Sequence, residues 1–557
     1  MPFIYLPRRN SLPCFQPSLS PRSQQSYLPR EYRFENEVGN LTIIRIISEK
    51  KIRSKLWSHC KRAKSSAHAI FDEEPFTKNT VKEYAQVPGP RPLPFLGNTW
   101  RFIPLVGNYK ISEIHEISKN LYQKYGEIVK IEKLLGRADM VFLYDPAEIE
   151  KVFRSEDALP FRPSMPSLDY YKHVLRKDFF AGIGGVIATH GEKWHKFRSK
   201  VQQSMLQPKT AKMYISPISE TADEFVERIA MIRDASNTVP DDFLNEIHKW
   251  SLESIAKIAL DIKLGCLKDP LPETQELIDS INTFFKSVVI LELKVPFWKV
   301  FNTPTWQAFI QSLDSIIRIS SKHTEAALDR LKSHPDKERE PSLLERVLAQ
   351  NQDDPRIATI LALDMFLVGI DTTTGAIASI LYQLSQNQDA QERLSEEANS
   401  VLKNGPLTSA SFEEFTFLKA CIKETLRLRP VVLGNGRSLT KDTEICGYNI
   451  PKGTQIVFQH YMISNSDKFF DDAAKFKPER WLQKNNHYHP FATLPFGFGK
   501  RMCLGRRFAD LEMQTLIAKI VAKYRVEYND GKLEYKVQPM FMPCGPLKFT
   551  FIDRNRH

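Results

Sequence analysis

A loop with a single cysteine, followed at once by a helix, constrains this sequence more than any other stretch. The loop, Phe496 to Gly505, reads Phe-Gly-Phe-Gly-Lys-Arg-Met-Cys-Leu-Gly and places Cys503 among three glycines. Apolar residues then recur every three or four positions up to Tyr524, which predicts an amphipathic helix. The N–H groups and dipole at a helix start favour the thiolate, the form of cysteine that binds metals. On the cysteine alone, however, a small buried residue in a glycine-rich turn is the stronger interpretation.

Five positions of this loop change that balance: Phe496, Gly499, Arg501, Cys503 and Gly505. They match F-x-x-G-x-R-x-C-x-G, and the loop therefore resembles the haem loop of the cytochrome P450 family. The resemblance implies a haem b cofactor with Cys503 as the axial iron ligand and Arg501 paired with a haem propionate. A thiolate ligand in that family pushes electron density toward the iron and favours O–O cleavage.

The positive charge of the chain is concentrated near its start. The 557 residues carry a formal charge of +12, and residues 1–70 alone hold 13 lysines or arginines against 4 acids. The rest of the chain is therefore close to neutral, so a nucleic-acid partner is not expected. The length alone would suggest two to four domains.

The first 30 residues are typical of an organellar leader. They contain four arginines, five serines and no acid, which is the composition of a transit peptide. Six prolines interrupt any long amphipathic helix there, so a disordered basic tail is the alternative. The segment from Ile43 to Lys64 mixes apolar and basic residues and is a second candidate for the import signal. Mitochondrial import is the favoured prediction.

The seven cysteines are scattered and show no C-x-x-C pair or zinc-like spacing, which indicates a reducing compartment. No stretch approaches the roughly 20 apolar residues that a membrane span needs. The proline-rich run from Pro88 to Asn98 cannot be helical and predicts a hinge between leader and domain.

The body of the chain reads as mainly helical with a few strands. Helices are expected over Ile111–Tyr125, from Pro146 to about Arg154, and over most of Met205–Asp354. Two strands are expected within Glu127–Tyr144. The resemblance agrees with this pattern. It implies a mainly α fold with a small β-sheet region, in which haem lies between a long central helix and the helix after the cysteine loop.

Two further sites are assigned to the haem propionates. Trp194 and Arg198 are four residues apart and share one helix face. A surface aromatic–cation pair would explain them equally simply. In the family, however, a W-x-x-x-R pair reaches a propionate, and the guanidinium fork suits a carboxylate. Arg437 resembles a further propionate-binding arginine of the family.

A long apolar helix is expected from Ile357 to about Leu384, interrupted at Gly369-Ile-Asp-Thr-Thr-Thr374. Threonine hydroxyls can bond to the carbonyl four residues back, so a kinked core helix with a buried Asp is one interpretation. The resemblance implies another: Gly369 thins the helix so that O2 fits above the iron, and Asp371 and Thr372 relay protons. The family places Ala or Gly where this chain has Val368.

Glu424 and Arg427 stand three apart in a predicted helix and could be an exposed ion pair. In the family this E-x-x-R pair joins the arginine of a later P-E-R motif, here Arg480. A carboxylate shared between two arginines locks a core, so the three residues are expected to be structural.

Four basic residues are candidates for docking an electron donor: Lys419, Lys423, Arg506 and Arg507. Solvated charge would explain them as well. The combination resembles the mitochondrial branch of the family, in which an acidic, adrenodoxin-type two-iron two-sulfur ferredoxin docks there. Basic side chains near the thiolate would steer such a donor.

The region from Phe284 to Trp306 mixes aromatic and basic residues, which suits either core packing or peripheral contact with a membrane surface. A loop is predicted from Asp169 to Gly185, and it is expected to line the substrate pocket. Steroid-like and xenobiotic substrates are both compatible with it.

These observations predict residues 1–85 as leader and linker and residues 86–557 as one haem-thiolate monooxygenase domain. The expected reaction inserts one atom of O2 into a small apolar substrate, on the matrix side of the mitochondrial inner membrane. Phe161-Arg-Pro-Ser-Met-Pro166 is most similar to arthropod mitochondrial members. A haem-thiolate isomerase or dehydratase, and a non-catalytic haem-binding or sensing protein, are the alternatives.

Overall fold

The computed structural model describes residues 81–554, apart from 104, 163–164, 269–270, 334–339, 484–486 and 539. Residues 1–80 of the predicted leader lie outside the described residues, and its role in import stays a prediction.

Helices dominate the described part of the chain. The α-helices, in chain order, are α1 (Ile114–Tyr125), α2 (Pro146–Arg154), α3 (Pro166–Tyr170), α4 (Lys177–Phe180), α5 (Gly191–Leu206), α6 (Pro208–Lys212), α7 (Ile215–Ile232), α8 (Phe243–Leu260), α9 (Pro272–Leu293), α10 (Pro304–Ser333), α11 (Leu343–Gln350), α12 (Arg356–Gln386), α13 (Gln388–Leu402), α14 (Ser409–Glu414), α15 (Thr416–Leu428), α16 (His460–Ser464) and α17 (Arg506–Lys523). Asp145 caps α2 by accepting hydrogen bonds from the N–H groups of Ala147 and Glu148, as its position before a proline predicts.

The strands are short: β1 (Ile128–Ile131), β2 (Met140–Leu143), β3 (Asn435–Ser438), β4 (Thr443–Ile445), β5 (Tyr448–Ile450), β6 (Gln455–Phe458), β7 (Tyr524–Tyr528), β8 (Glu534–Val537), β9 (Phe541–Cys544) and β10 (Phe549–Asp553). Four of them form a sheet in the order β1-β2-β6-β3, and the others pair as β4-β5, β7-β10 and β8-β9. In the four-stranded sheet β2 and β6 are parallel, whereas the outer pairs are antiparallel. The predicted mainly α fold with a small β-sheet region is confirmed.

The central helix is α12, and it is buried on nearly every side. Between Ile360 and Ser385, only Val368, Gly369 and Thr372 are partly exposed. Positions i, i+1 and i+4 share one helix face, so these three mark where α12 borders an interior space. The helix is continuous, which corrects the predicted interruption at Gly369–Thr374.

α12 also corrects the expectation about membrane spans. By length and composition it is apolar enough to cross a membrane, but 83% of its most apolar window is buried inside the protein. Packing within the fold therefore explains its apolar composition.

Two other expectations need correction. α17 is not amphipathic, because buried side chains occur on all its faces, and Tyr524 begins β7 instead of ending the helix. The stretch from Asp169 to Gly185 is not one loop. It contains the end of α3, a π-helical turn over Tyr171–Leu175, and α4, and only from Ala181 onward is it irregular.

Candidate haem-thiolate site

The cysteine loop folds tightly just before α17. Gly497 and Gly499 have φ angles of 69° and 73°, a region that favours glycine. The N–H of Cys503 donates to the carbonyl of Phe496 at 2.9 Å, which closes the loop. Gly505 has an ordinary φ of −86°, so its conformation alone does not require glycine.

The Cys503 side chain is exposed, yet surrounding atoms are close enough for burial to raise the pKa of its thiol. Both observations hold if the sulfur faces an interior space. The N–H of Gly505 and the guanidinium of Arg198 oppose this shift and favour the thiolate. The N–H at the helix start thus acts in the direction that the sequence predicts, although burial is the largest influence on this thiol.

Arginine side chains cluster beside the cysteine loop. Arg162, Arg198, Arg437 and Arg501 act on one another electrostatically, and burial is the largest cause that lowers the pKa of each. The pKa of Arg501 falls to about 9 and that of Arg162 to about 10. A cluster of like charges out of water calls for anionic partners.

Arg501 is held from three directions. Its guanidinium lies over the ring of Trp194, 3.6 Å from the ring centre. Its Nε donates to the carbonyl of Pro160 at 3.2 Å and its Nη1 to the carbonyl of Thr189 at 3.1 Å. The predicted propionate residue Trp194 therefore stacks on Arg501, while Arg198 donates from Nη2 to the carbonyl of Met502 at 3.0 Å.

Glu156 supplies a carboxylate within the cluster. It pairs with Arg437 Nε, and its Oε2 would be 3.4 Å from a Cβ atom at Gly499. Burial is the largest influence on Glu156 and raises the pKa of its carboxyl, although Arg437, Arg501 and Lys500 oppose that shift. One such carboxylate leaves the guanidinium cluster with an excess of positive charge.

The two propionates of haem fit this excess. Buried donors without a partner include Nε of Arg162, Nε of Arg198 and Nη2 of Arg501. Carboxylates accept such donors well, and an unpaired buried donor costs free energy. In the described part of the chain no three His, Cys, Asp or Glu side chains are grouped to hold a metal ion.

The partly exposed face of α12 carries Thr372. Its hydroxyl donates to the carbonyl of Val368 at 2.9 Å, the bond to the fourth preceding residue that the sequence predicts. At Gly369, an added Cβ would lie 2.8 Å from Cδ1 of Ile255 on α8. The absent side chain of Gly369 thus lets α8 approach, and its role in making room for O2 stays a prediction.

Asp371 points away from Thr372, toward α8. The Nε2–H of His248 donates to its Oδ1 at 2.9 Å, and the side chains are 5% and 8% exposed. An ionised carboxylate only accepts, which assigns the donor to His248. The predicted acid–alcohol pair is therefore not joined by a direct hydrogen bond in this structure.

Glu424, Arg427 and Arg480 meet in the core. Glu424 and Arg427 are fully buried and form two hydrogen bonds of 2.8 and 2.9 Å, and Arg480 Nε donates to the same carboxylate at 3.0 Å. Trp481 Nε1 and the backbone N–H of Lys477 complete the set of donors. This saturated carboxylate ties α15 to the segment that follows α16.

Three of the four predicted docking residues share one surface. Lys423, Arg506 and Arg507 are exposed, and all three act electrostatically on Asp510, whose pKa burial raises. Lys419 is half-buried and its ammonium donates to the carbonyl of Phe412, so it is less available. Arg506 also lies over the ring of Phe496, 5.5 Å from its centre, at the edge of the cysteine loop.

Sequence reasoning missed several residues of this site. Arg162 follows Phe161 in the run quoted for its resemblance, and its place in that run was the available signal. Glu156 and His248 carried none, because their partners lie 281 and 123 residues away. Glu512 on α17 was also missed: the hydroxyl of Thr373 on α12 donates to its Oε2 at 3.4 Å.

Burial raises the pKa of Glu512 to about 8, and this predicts a pH dependence of stability. Because this value lies above that of the unfolded chain, the folded state binds the extra proton between about pH 5 and 8. Stability should therefore fall by up to about 1.4 kcal/mol per pH unit as the pH rises. Glu512→Gln should flatten this slope in urea unfolding of the haem-loaded protein. Equal slopes for parent and variant would contradict the prediction.

Comparison with known proteins agrees with this geometry. The family model described as Cytochrome P450 matches residues 87–551. "Probable cytochrome P450 301a1, mitochondrial" of Drosophila melanogaster is 47% identical over 478 residues, covering 84% of this chain and 86% of that protein. "Probable cytochrome P450 49a1" of the same species is 44% identical over 493 residues, covering 85% and 84%. "Probable cytochrome P450 12a5, mitochondrial", also from this fly, is 37% identical over 470 residues, covering 80% and 87%.

Proposed function

The chain belongs to the cytochrome P450 family and is a haem-binding monooxygenase, and from this premise we propose that it works in mitochondria on an apolar substrate with electrons from an adrenodoxin-type ferredoxin. The observation that carries the haem-thiolate assignment is the cluster of four buried guanidiniums beside the accessible thiol of Cys503. Arg162, Arg198, Arg437 and Arg501 would hold the propionates.

When bound, haem supplies the chemistry that activates O2, so that one oxygen atom enters the substrate and the other leaves as water. Cys503, three residues before α17, would hold the iron, and the partly exposed face of α12 carries Val368, Gly369 and Thr372. Apolar side chains such as Val368 on that face, packed against the main core, would receive an apolar substrate and exclude water.

On the α12 side, side chains of the protein itself would supply the protons that the reaction consumes. The hydroxyl of Thr372 is partly exposed there and would donate a proton, and Asp371 would resupply it. Since Asp371 accepts from His248, resupply requires its carboxylate first to take up a proton and then to rotate away from α8 or to act through a water molecule.

Thr372→Ala should keep haem but lose coupling of electrons to product. General acid groups contribute about 100-fold or more to such steps, so product per NADPH should fall at least about tenfold while hydrogen peroxide rises. The control is Thr372→Ser, which retains a hydroxyl and should stay close to the parent. Equal coupling in the Ala variant and the parent would remove Thr372 from the proton path.

The surface formed by Lys423, Arg506 and Arg507 supports the choice of donor. Exposed positive charge next to the cysteine loop would attract an acidic ferredoxin and orient it near the thiolate. The distance that electrons must cross would then be short.

Lys423→Gln should weaken ferredoxin binding about twofold to fivefold, since an exposed ion pair is worth up to about 1 kcal/mol. The loss should be larger at low ionic strength, where screening is weak. Lys419→Gln is a matched control on the same helix, and it should change the Kd less because its ammonium already bonds to Phe412. The Kd is measured by titrating the donor at two salt concentrations. An unchanged Kd for Lys423→Gln would exclude this residue from the docking surface.

Location in mitochondria is supported by two of the relatives, whose names include that compartment. The composition of residues 1–30 points the same way. Import of the full-length chain into isolated mitochondria tests this, and failure of import would overturn it.

An apolar surface supports peripheral contact with the inner membrane, on its matrix side. Phe297, Val300 and Phe301 are 58%, 75% and 63% exposed after α9. Lys294 and Lys299 lie in the same stretch. Exposed apolar side chains mixed with lysines suit a lipid surface.

A second apolar stretch lies close to the first. The turn around Arg137 links them: Arg137 Nη2 donates to the carbonyl of Lys294 at 2.6 Å, and the neighbouring Leu135 N–H donates to Thr99 Oγ1 at 2.8 Å. Leu105 and Val106, a few residues beyond Thr99, are fully or largely exposed. Val300→Ser with Phe301→Ser should lower binding to anionic lipid vesicles, and unchanged binding would contradict membrane contact here.

The central test combines the haem-loaded full-length chain with an adrenodoxin-type ferredoxin, its reductase and NADPH. Apolar compounds are first screened for a spectral shift that reports displacement of water from the ferric iron. Turnover under ¹⁸O2 should then place one ¹⁸O atom in the product. A rearranged product without ¹⁸O would indicate an isomerase or dehydratase. Binding without any turnover would indicate a non-catalytic haem protein.

A further inference from the structure

A buried ion pair joins the π-helical turn before α4 to the central helix. Lys172 Nζ lies 2.9 Å from Asp364 Oδ1, and both side chains are only 2% exposed. Lys172 belongs to the turn Tyr171–Leu175, and Asp364 precedes Asp371 on α12 by two helical turns. The ammonium also lies 5.4 Å from the ring centre of Phe180.

The irregular segment 184–189, called the clamp loop below, is wrapped around this pair. Lys172 Nζ donates to the carbonyl of Gly184 at 2.8 Å and approaches that of Ile187 at 3.5 Å. The N–H of Val186 donates to Asp364 Oδ2 at 2.7 Å. The three ammonium protons and both carboxylate oxygens thus have partners, which is what makes a buried pair tolerable.

A glycine is required where the clamp loop touches α12. Gly185 has a φ of +76°, and a Cβ there would lie 2.1 Å from Asp364 Oδ2. The loop backbone therefore sits directly on the carboxylate, and no larger residue could replace it without moving one of them.

The other end of the clamp loop reaches the guanidinium cluster. The carbonyl of Thr189 accepts from Arg501 Nη1 at 3.1 Å, and Arg501 is two residues before Cys503. Between these anchors, Val186 and Ile187 pack against the main core and stay partly exposed. The loop thus connects Asp364, which precedes Val368 and Thr372 on α12 by four and eight residues, to the cysteine loop.

We propose that Lys172 and Asp364 are positioning residues for substrate selection: they hold the clamp loop against α12, and so set the shape of the pocket that receives the apolar substrate. The inference rests on the proposed function for the identity of the ligand. Stability alone explains the pair poorly, because apolar residues of similar volume are often equally good or better than a buried ion pair. A fixed loop position is what the charges add.

The first experiment distinguishes an effect on the position of the clamp loop from an effect on the stability of the fold. It uses two haem-loaded full-length double variants. Lys172→Met with Asp364→Leu replaces the pair by apolar side chains and leaves the N–H of Val186 without its acceptor. Lys172→Met with Asp364→Asn removes the same charges but keeps an oxygen for Val186. Exchange of the Val186 amide proton with deuterium should be at least tenfold faster in the Leu variant than in the Asn variant. Equal exchange rates would overturn the proposal.

The second experiment changes the backbone of the segment before α5 and leaves Lys172 and Asp364 in place. Gly185→Ala introduces the contact with Asp364, whereas Gly182→Ala has a similar φ of +81° but meets nothing within 4 Å. Both variants carry the same backbone penalty. Only Gly185→Ala should change the Kd of a bound apolar compound, by at least fivefold, and shift the ratio of its oxidised products. Indistinguishable values for the two variants would overturn the proposal, even if the double variants do not fold.

Failure of the proposed function would look different. In that case no variant, nor the parent, forms product with a ferredoxin donor. Amide exchange and compound binding need no turnover, so they still test whether Lys172 and Asp364 fix the position of the clamp loop.

Discussion

Replacing Cys503 by alanine should abolish the thiolate signature of haem, the shifted absorption band of the reduced, carbon-monoxide-bound protein. Cys503 is the only cysteine on the loop that the guanidinium cluster surrounds, and its thiol is exposed to the interior space. The other free cysteines of the described residues, Cys266, Cys421, Cys446 and Cys544, lie outside this loop, so we expect a complete loss. The measurement is the absorption spectrum of dithionite-reduced protein under carbon monoxide.

Cys544→Ala is the matched control. Cys544 lies in β9 and burial raises the pKa of its thiol, as it does for Cys503. This variant should keep the parent spectrum. Persistence of the thiolate band in Cys503→Ala would show that another residue binds the iron.

The second large effect is expected at Glu424. Glu424→Gln removes the charge that two buried guanidiniums share, and leaves Arg427 and Arg480 in the core without a carboxylate partner. Breaking a buried pair on one side costs about 3–5 kcal/mol, a large part of the stability of any protein. The haem content of purified protein and its midpoint of urea unfolding should both fall sharply.

Glu479→Gln provides the comparison. Glu479 precedes Arg480 and pairs with Arg393 at 3.0 Å, but the two side chains are about half exposed. The same chemical change should cost less than about 1 kcal/mol there. Similar urea midpoints for the two variants would show that the buried network does not stabilise the fold.

The cysteine loop and the pair Glu424–Arg427 were accessible from sequence because their patterns are short, whereas Arg480, 56 residues from Glu424, was assigned through the family resemblance. Phe496 to Gly505 spans ten residues, and Glu424 and Arg427 are three apart on one helix. Local geometry relates such residues, and a spacing therefore identifies them. The mainly helical fold followed from the same kind of local pattern.

The direction of Asp371 could not be predicted in this way. Its partner His248 lies on α8, where 14 of 18 residues are buried, so the periodicity of that helix does not single out a face. Which side of α12 meets α8 depends on how the two helices pack. Gly369 shows the same limit, because its contact with Ile255 of α8 appears only after packing.

The propionate site shows a third case. Trp194 and Arg198 were recognised as a pair, but the stacking of Trp194 on Arg501 joins residues 307 positions apart. Arg162 and Glu156 complete the charge balance of the cluster and belong to no short pattern. The resemblance thus pointed to individual members of this cluster, but it could not count the charges that meet there.

The four arginines also bear on how the protein matures. Their mutual repulsion disfavours the compact chain, and a dianionic cofactor that binds between them relieves it. A ligand that binds only the folded state raises its stability in proportion to the logarithm of its concentration. A larger haem supply should therefore stabilise the folded state of this chain. A variant whose folding free energy is reduced by a mutation elsewhere should reach a higher folded amount in cells that are given more haem.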